Sequence, residues 1–312
     1  MSNLTSISTF LLLAFSDVRE LQILSFFLFL ALYLMAVTGN LLIIVSIIVD
    51  NHLHTPMYFF LLNLAMIDLG FISVIVPKIM VVSLMDDRSI SYSGCVAQVF
   101  FYLFFASSDF VILIIMAHDR HIAICNPLEY DRIMHKGTCL EMVAIGWLVS
   151  VLYALLHTCG TFANTFCSNC INQFFCEIPH LLKLSCSEIY LAEVGLLALS
   201  CGVGLGCFVF IIITYLKIFA AVLKIPSVLG QKKALSTCIP HLTVVSVYLL
   251  TGVFVHVIPP SDASSALDVA SAVMYVIIPP TLNPFIYSMR NNEIRAALCK
   301  FLKLVFSSTV VF

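Results

Sequence analysis

The chain has 312 residues, of which 61% are hydrophobic and 10% are charged, and its formal net charge is −2. A soluble globular domain has about 45–50% apolar and about 25% charged residues. This composition, with a mean hydropathy of +1.08, therefore excludes an ordinary soluble protein. The sequence has no Gly/Ser-rich linker, low-complexity run or repeat, so we expect one membrane domain over residues 1–312.

Seven apolar stretches are long enough to cross a bilayer. A span needs about 20 residues, because the hydrocarbon core is about 30 Å thick and a helix rises about 1.5 Å per residue. Lipid offers no partners for backbone hydrogen bonds, so each span must be a helix. The sequence therefore predicts an all-α membrane protein, a seven-transmembrane helix bundle with spans at residues 24–49, 57–82, 94–119, 139–162, 192–219, 236–258 and 269–289.

The distribution of basic residues predicts the orientation of the bundle. If residues 1–23 are extracellular, only four of the 15 Lys and Arg residues fall outside, namely Arg19, Lys78, Arg88 and Lys183. The cytosolic excess agrees with the positive-inside rule. Asn3 then lies in an extracellular Asn-Leu-Thr glycosylation acceptor. The apolar run 10–15 is too short to span and has no basic flank, so we expect the first span to direct insertion.

Short motifs stand at the ends of the spans. The third span closes on Met116-Ala117-His118-Asp119-Arg120-His121-Ile122-Ala123-Ile124-Cys125, an acid–arginine pair at the end of a long apolar helix. An Arg beside a bilayer is costly and is read as functional by default. The other motifs are Leu53–Leu61 before and into the second span, Lys233–Cys238 before the sixth, and Asn283-Pro284-Phe285-Ile286-Tyr287 at the end of the seventh.

In this order and at these spacings the motifs resemble those of odorant receptors, a branch of the rhodopsin-like G-protein-coupled receptors. Thr55 is the form found in the tetrapod-type class, and His118 and His121 replace two usual tyrosines. The resemblance implies a receptor, not an enzyme, that binds a small, neutral, volatile odorant. It also implies coupling to a stimulatory olfactory G protein that raises cAMP, contact with membrane lipid, no nucleic-acid partner, and a plasma-membrane location in sensory cilia.

The resemblance also implies roles for residues at the cytosolic end. Asp119 and Arg120 would hold the inactive state, and Tyr215 in the fifth span would swing inward on activation. The seventh span would contribute Asn283, Pro284 and Tyr287.

Two departures from the family pattern fall in the sixth span. Pro240 stands where odorant receptors often have a small residue, and a proline there can kink the helix. Tyr248, Leu249 and Leu250 stand where Phe-Tyr-Gly is frequent, so the aromatic residue thought to sense ligand is shifted or absent.

Twelve cysteines occur in the chain, and five are expected on the oxidising side: Cys95, Cys167, Cys170, Cys176 and Cys186. Four of them fall in one loop, which favours crosslinks, and their spacings lack the paired C-x2-C pattern of a zinc site. The sequence alone does not give the pairing. The resemblance implies bridges Cys95–Cys176 and Cys167–Cys186, with Cys170 left over.

A thin layer of polar side chains is predicted in the inner half of the bundle. Counted along the helices, Asp68 lies about 18 Å and Asp109 about 16 Å from the inner face, near Asn40 and Asn283. The carboxylates are either protonated and hydrogen-bonded within the bundle, or they hold a sodium ion. The resemblance supports sodium, because Asp68 matches the carboxylate that binds it in the superfamily.

The ligand cavity is expected in the outer half, where such bundles hold small molecules. One face of the third span would line it, and some of these residues would only pack against neighbouring helices. Tyr102 lies 18 residues before Arg120, at the position where the similar amine receptors carry an Asp, so a cationic amine would lack its usual partner here. The candidate residues are Tyr102, Leu103, Ala106, Ser107 and Phe110, with Gly252, Val255 and His256 on the sixth span and Val273 and Val276 on the seventh.

Residues 291–305 have the pattern of an amphipathic helix on the membrane surface, and Cys299 is either palmitoylated or a bystander thiol. The sequence could also belong to a transporter or a membrane enzyme. The spans show no inverted repeats and no nucleophile–base or metal-ligand cluster, which argues against both. The alternative kept open is a rhodopsin-like chemosensory receptor for another small apolar ligand outside the nose.

Overall fold

The computed structural model describes residues 7–13, 16, 18–187, 190–257, 273–274, 276–290 and 292–309, without the side chains of 252–257, 288–290, 292 and 302–309. In this part of the chain the helices are α1 (Arg19–Val49), α2 (Pro56–Met85), α3 (Tyr92–Cys125), α4 (Tyr130–Ile133), α5 (Lys136–Phe162), α6 (Ile178–Leu182), α7 (Tyr190–Leu223), α8 (Val228–Val257), α9 (Ile278–Arg290) and α10 (Asn292–Thr309). A short 3₁₀ turn at Asn51–Leu53 joins α1 to α2.

Six of these helices are long and apolar enough to cross a membrane: α1, α2, α3, α5, α7 and α8. Helix α9 forms the inner part of the seventh predicted span, whose residues 269–272 lie outside the described chain. The predicted all-α membrane bundle with a short C-terminal helix is confirmed, with two three-residue strands added at the outer face.

The long helices begin and end at capping residues, and several extend beyond the apolar stretches. Pro56 occupies the first turn of α2, where a missing N–H costs nothing, and Asp86 ends that helix in the left-handed conformation at φ 55°. The Ser91 hydroxyl accepts the Gly94 amide at the start of α3. Helix α3 therefore runs from Tyr92 to Cys125, past the apolar stretch 94–119 at both ends.

Helix α2 is the most enclosed long helix and α7 the least. In their apolar windows, 61% of the residues of α2 are buried, against 6% for α7. Helices α1 and α9 approach each other closely at Gly39, because a Cβ added there would lie 2.8 Å from Pro284 of α9. Because α7 is so little buried, its exposed apolar side chains face the region that lipid occupies in a membrane.

Helix α8 contains Pro240 and continues through it without a break.

A small sheet caps the outer end of the bundle. Strand β1 (Thr9–Leu11) pairs antiparallel with β2 (Ser89–Ser91), and the Leu11 amide also donates to the Asn169 carbonyl at 2.8 Å. The Phe10 ring is fully buried, with Tyr92 at 5.9 Å and Phe166 at 5.5 Å between ring centroids. The N-terminal segment is therefore held between two outer loops.

Helix α10 packs against the inner ends of α1 and α2. Its Ile294 and Ala297 are buried, as the amphipathic pattern predicts for one face of this helix. The Tyr58 hydroxyl of α2 donates to Glu293 at 2.6 Å, and Lys300 lies 3.9 Å from Asp50. These polar contacts fix the helix across the bundle end that carries Arg120, called the inner end below.

Candidate functional site

The outer half of α3 presents the predicted ligand-binding face. Tyr102 lies between the rings of Phe71 at 5.5 Å and Phe175 at 5.6 Å, and Phe110 contacts Phe208 of α7 at 5.2 Å. Leu103 is buried in the outer apolar core, with Ala106 and Ser107 partly buried one turn further in. This face therefore meets α2, the outer loop and α7.

The Ser107 hydroxyl is turned back onto its own helix. It lies 2.6 Å from the Leu103 carbonyl and 3.2 Å from the Phe104 carbonyl, and a carbonyl can only accept. Its single proton is thus used within α3, and only its lone pairs are available to another group. This arrangement makes Ser107 a hydrogen-bond acceptor toward any ligand beside it.

The remaining predicted ligand residues are on α8 and near α9. Val276 is buried and Val273 partly buried in a cluster with Phe29, Ile75 and Phe174, on the side of the bundle formed by α1 and α2. The backbone of α8 includes Gly252, Val255 and His256, whose side chains lie outside the described part of the structure.

Two disulfide bonds fix the loop between α5 and α7. Cys95 at the start of α3 is joined to Cys176, and Cys167 is joined to Cys186, the two pairs that the family resemblance implies. Cys170 carries a free, exposed thiol. The backbone amide of Cys176 also donates to the Gln98 side chain of α3 at 2.9 Å. Asn3, the predicted glycosylation site, lies outside the described residues.

The predicted polar layer is present between α1, α2, α3 and α9. The Asn283 amide donates to Asp68 at 2.9 Å, and the Asn40 amide donates to the Pro280 carbonyl at 3.0 Å. Both carboxylates are buried, Asp68 at 1% and Asp109 at 4% exposure. Among the described residues, the buried oxygens Asn40 Oδ1, Asp109 Oδ1 and Ser108 Oγ have no hydrogen-bond partner.

Tyr248 joins the same layer from α8. Its hydroxyl donates a hydrogen bond to Oδ2 of Asp109. The sequence marks Tyr248 only as a departure from the family pattern, and nothing in the sequence alone indicates which helix its hydroxyl meets. This bond therefore ties α8 directly to α3 in the buried layer.

At the inner end, Asp119 is the acceptor for two donors. Arg120 contacts it through Nε at 3.0 Å, and the Tyr130 hydroxyl of α4 donates to its other oxygen at 2.8 Å. Burial and the neighbouring Asp119 carboxylate raise the pKa of the Tyr130 phenol above its usual value, so it stays protonated and keeps donating. The Asp119–Arg120 pair is thus closed, with Asp119 almost completely buried.

His241, which the sequence interpretation did not single out, links three helices beside this pair. Its Nε2 lies 3.0 Å from the Leu113 carbonyl of α3, which can only accept, so Nε2 carries the proton. The Tyr215 hydroxyl of α7 then donates to Nδ1 at 2.7 Å. A histidine inside an otherwise apolar span is the signal that could have found it.

A cavity of about 230 Å³ opens at the inner end, beside the Asp119–Arg120 pair and His241. It is lined from α2, α3, α8, α9 and α10, with Arg120, His241 and Tyr287 among its walls. The Tyr287 hydroxyl is buried and has no hydrogen-bond partner among the described residues. Pro284 lies one turn before it against Gly39. All six residues with predicted activation roles thus belong to the inner half.

The chain was compared with known proteins. The family model described as olfactory receptor matches residues 29–304. Human olfactory receptor 14A16 is 47% identical over 304 residues, covering 97% of this chain and 98% of the relative, and human olfactory receptor 14I1 is 48% identical over 308 residues, covering 98% and 99%. Olfactory receptor 1G1 of Gorilla gorilla gorilla is 46% identical over 299 residues, covering 96% of each chain. The chain therefore belongs to the olfactory receptor family, whose members are multi-pass G-protein-coupled receptors for odorants and not enzymes.

Proposed function

We propose that this receptor binds a small, neutral, volatile ligand in the outer half of the bundle and activates a stimulatory olfactory G protein, which raises cAMP. It would act in the plasma membrane of sensory cilia, with its N-terminus outside and membrane lipid around its helices. The excess of Lys and Arg on the inner side supports this orientation.

The observation that carries the proposal is the set of contacts that hold α8 against α3. His241 donates to the Leu113 carbonyl, and Tyr248 donates to Asp109. An outward movement of the inner end of α8 would break the first contact and enlarge the cavity beside Arg120. A ligand can drive this movement only as far as its affinities for the two states differ.

The ligand chemistry follows from the outer face of α3. Leu103, Ala106 and Phe110 offer apolar surface, and Tyr102 stands where a carboxylate would be needed to hold a cationic amine. A neutral, mainly apolar molecule with one or two hydrogen-bonding groups fits this surface, because a charged ligand would lose its hydration without a partner.

The polar layer supports a further proposal, a sodium ion held by Asp68 and Asp109. Oxygen atoms of Asp109, Asn40 and Ser108 are each buried without a hydrogen-bond partner among the described residues, and oxygen ligands suit a hard cation. Among the described residues no three His, Cys, Asp or Glu side chains lie together as a metal site. The two carboxylates would attract a monovalent cation, and the ion would offset the cost of burying them.

The function is tested in cells that express the full chain with the stimulatory olfactory G protein. A panel of neutral odorants should contain ligands that raise cAMP in these cells and not in cells without the receptor. A response that appears only with an inhibitory or phospholipase-coupled G protein would contradict the proposed coupling. Replacing external sodium by choline should raise basal cAMP, and Asp68→Asn should remove that sodium dependence.

A further inference from the structure

A second buried polar cluster lies where the outer halves of α5 and α7 meet. Nδ1 of His157 is 2.6 Å from Oε1 of Glu193, and Nε2 of the same ring is 3.0 Å from Oγ of Ser200. His157 is fully buried, and Glu193 is 2% exposed. An imidazole, a carboxyl group and a hydroxyl therefore form one hydrogen-bonded chain inside an apolar wall.

This hydrogen-bonded cluster of His157, Glu193 and Ser200 is held in place from both sides. A Cβ added at Gly160 of α5 would clash with Oε2 of Glu193, so the carboxyl group rests against the α5 backbone in a space that only glycine leaves. One turn earlier, the Tyr153 ring packs edge-on against the His157 ring with centroids 4.5 Å apart. The direction of the His157 ring is thus fixed, and with it the direction in which Nε2 points.

The position of the proton in this chain follows from charge. A net charge inside hydrocarbon is costly, so the pair of Glu193 and His157 is most stable when it is neutral overall. Either the carboxylate faces an imidazolium, or a protonated carboxyl donates to Nδ1 of a neutral ring. In both arrangements Nε2 carries a proton, so His157 donates to Ser200 and the Ser200 hydroxyl keeps its own proton.

The Ser200 oxygen accepts from His157, and no hydrogen bond among the described residues uses the proton of the Ser200 hydroxyl. One donor proton therefore remains for a third group. Tyr153 packs against the same apolar cluster as Tyr102 of the α3 face. Two turns further in along α7, Phe208 contacts Phe110 of that same face.

We propose that Ser200 and Tyr153, oriented by the His157–Glu193 pair, are a hydrogen-bond donor subsite of the odorant cavity, and that it selects ligands with a carbonyl oxygen. The inference rests on the proposed function, since it names the ligand class of the same cavity. It assigns recognition to α5 and α7, and it complements Ser107, whose proton is already used within α3. A carbonyl oxygen fits because it accepts and has no proton of its own to place.

The probes are short methyl ketones of about six to ten carbons and their methylene isosteres, in which a CH2 group replaces the carbonyl oxygen. Binding is measured on the purified full-length receptor as the shift of its thermal unfolding with ligand concentration. This measurement does not involve a G protein. A receptor that binds ketones but raises no cAMP would support the subsite and contradict only the proposed signalling.

The variant Ser200→Ala/Tyr153→Phe should weaken ketone binding by about 3–10-fold, the range for one neutral hydrogen bond, and should change alkene binding by less than about twofold. Ser200→Ala alone should also weaken ketone binding, but by a smaller factor. Ser200→Thr keeps a hydroxyl group and should bind ketones as the wild-type receptor does. Ser150→Ala is the matched control, because that buried hydroxyl bonds only within α5, to the Gly146 carbonyl at 2.9 Å. Equal losses for ketone and alkene, or no ketone that stabilises the wild-type receptor, would overturn the proposal.

Discussion

The outer and inner halves of this receptor are held together by different kinds of interaction. The outer half has two disulfide bonds, a small sheet and a set of packed aromatic rings around Phe10 and Tyr102. The inner half has its own packed apolar core, and the polar contacts between its helices are single hydrogen bonds, such as those from His241 to Leu113 and from Asn283 to Asp68. Disulfide bonds hold one shape, whereas single hydrogen bonds between helices can be exchanged for others.

This difference indicates that the outer half discriminates between ligands and the inner half changes conformation. A wall that keeps its shape can discriminate between ligands, because its polar groups stay where they are. Helices joined by a few hydrogen bonds can occupy two arrangements whose energies differ by little, which is what a population shift requires. Changes in the outer half should therefore affect folding or ligand choice, and changes in the inner half should affect signalling at constant surface expression.

The largest effect is expected from the outer disulfide. Cys95→Ser and Cys176→Ser should each prevent correct folding, since loss of a bridge typically costs about 2–5 kcal/mol. The double variant should be no worse than either single variant, because both remove the same bond. Surface immunostaining and thermal unfolding measure this, with Cys170→Ser as the control at a free, exposed thiol. Additive damage from the two substitutions would show that they are not paired.

Arg120→Ala tests the inner half at its end. We expect it to abolish G-protein signalling with little effect on surface delivery, because Arg120 lines the inner cavity and bonds only to its neighbour Asp119 among the described contacts. Ligand-evoked cAMP at matched surface expression is the measurement. Arg132→Ala is the control, since its guanidinium is exposed and pairs with Glu129. A full cAMP response would remove Arg120 from the mechanism.

Ligand choice is the next effect in size and belongs to the outer half. His256→Ala or Ser107→Ala should shift the half-maximal concentration of an oxygenated odorant by roughly 5–100-fold, because an unsatisfied buried partner costs about 1–3 kcal/mol. Ser107 should lie near the lower limit, since its proton is used within α3. A hydrocarbon of the same shape should shift less. Identical dose–response curves for both ligands in both variants would exclude these residues from the cavity.

The smallest effect is expected in the buried polar layer of the inner half. Tyr248→Phe removes the hydrogen bond to Asp109 and keeps the ring, so basal cAMP should rise by about 3–10-fold, the range for one neutral hydrogen bond. Tyr33→Phe is the matched control, because that hydroxyl contacts only Ser73 at an exposed position. Unchanged basal cAMP in Tyr248→Phe would mean that this bond does not restrain α8.

Sequence patterns predicted the features that depend on one helix at a time. The face of Leu103, Ala106 and Ser107 follows from helical spacing, and the depth of Asp68 follows from counting residues along a helix. The family motifs supplied both cysteine pairs, which spacing alone left open. Helix ends were less accurate, because caps such as Ser91 stop a helix outside the apolar stretch.

Contacts between helices could not be predicted in this way. The bond from Tyr248 to Asp109 depends on how α8 is rotated against α3, and a rotation is set by packing along the whole interface. The pair of His157 and Glu193 was within reach of a simpler rule, since ionisable residues in predicted spans are rare and need partners. The rule identifies such residues, but only the fold shows which of them meet.

The position of β1 has a consequence for the order of synthesis. Thr9–Leu11 is synthesised before its partners, because Ser89–Ser91 follows α2 and Asn169 follows α5. This segment therefore pairs only after four long helices have been made, and its apolar side chains are unprotected until then. A receptor whose fourth long helix, α5, inserts slowly should be retained in the endoplasmic reticulum with its N-terminal strand unpaired. Chaperones there would bind the Phe10 ring while it is still exposed.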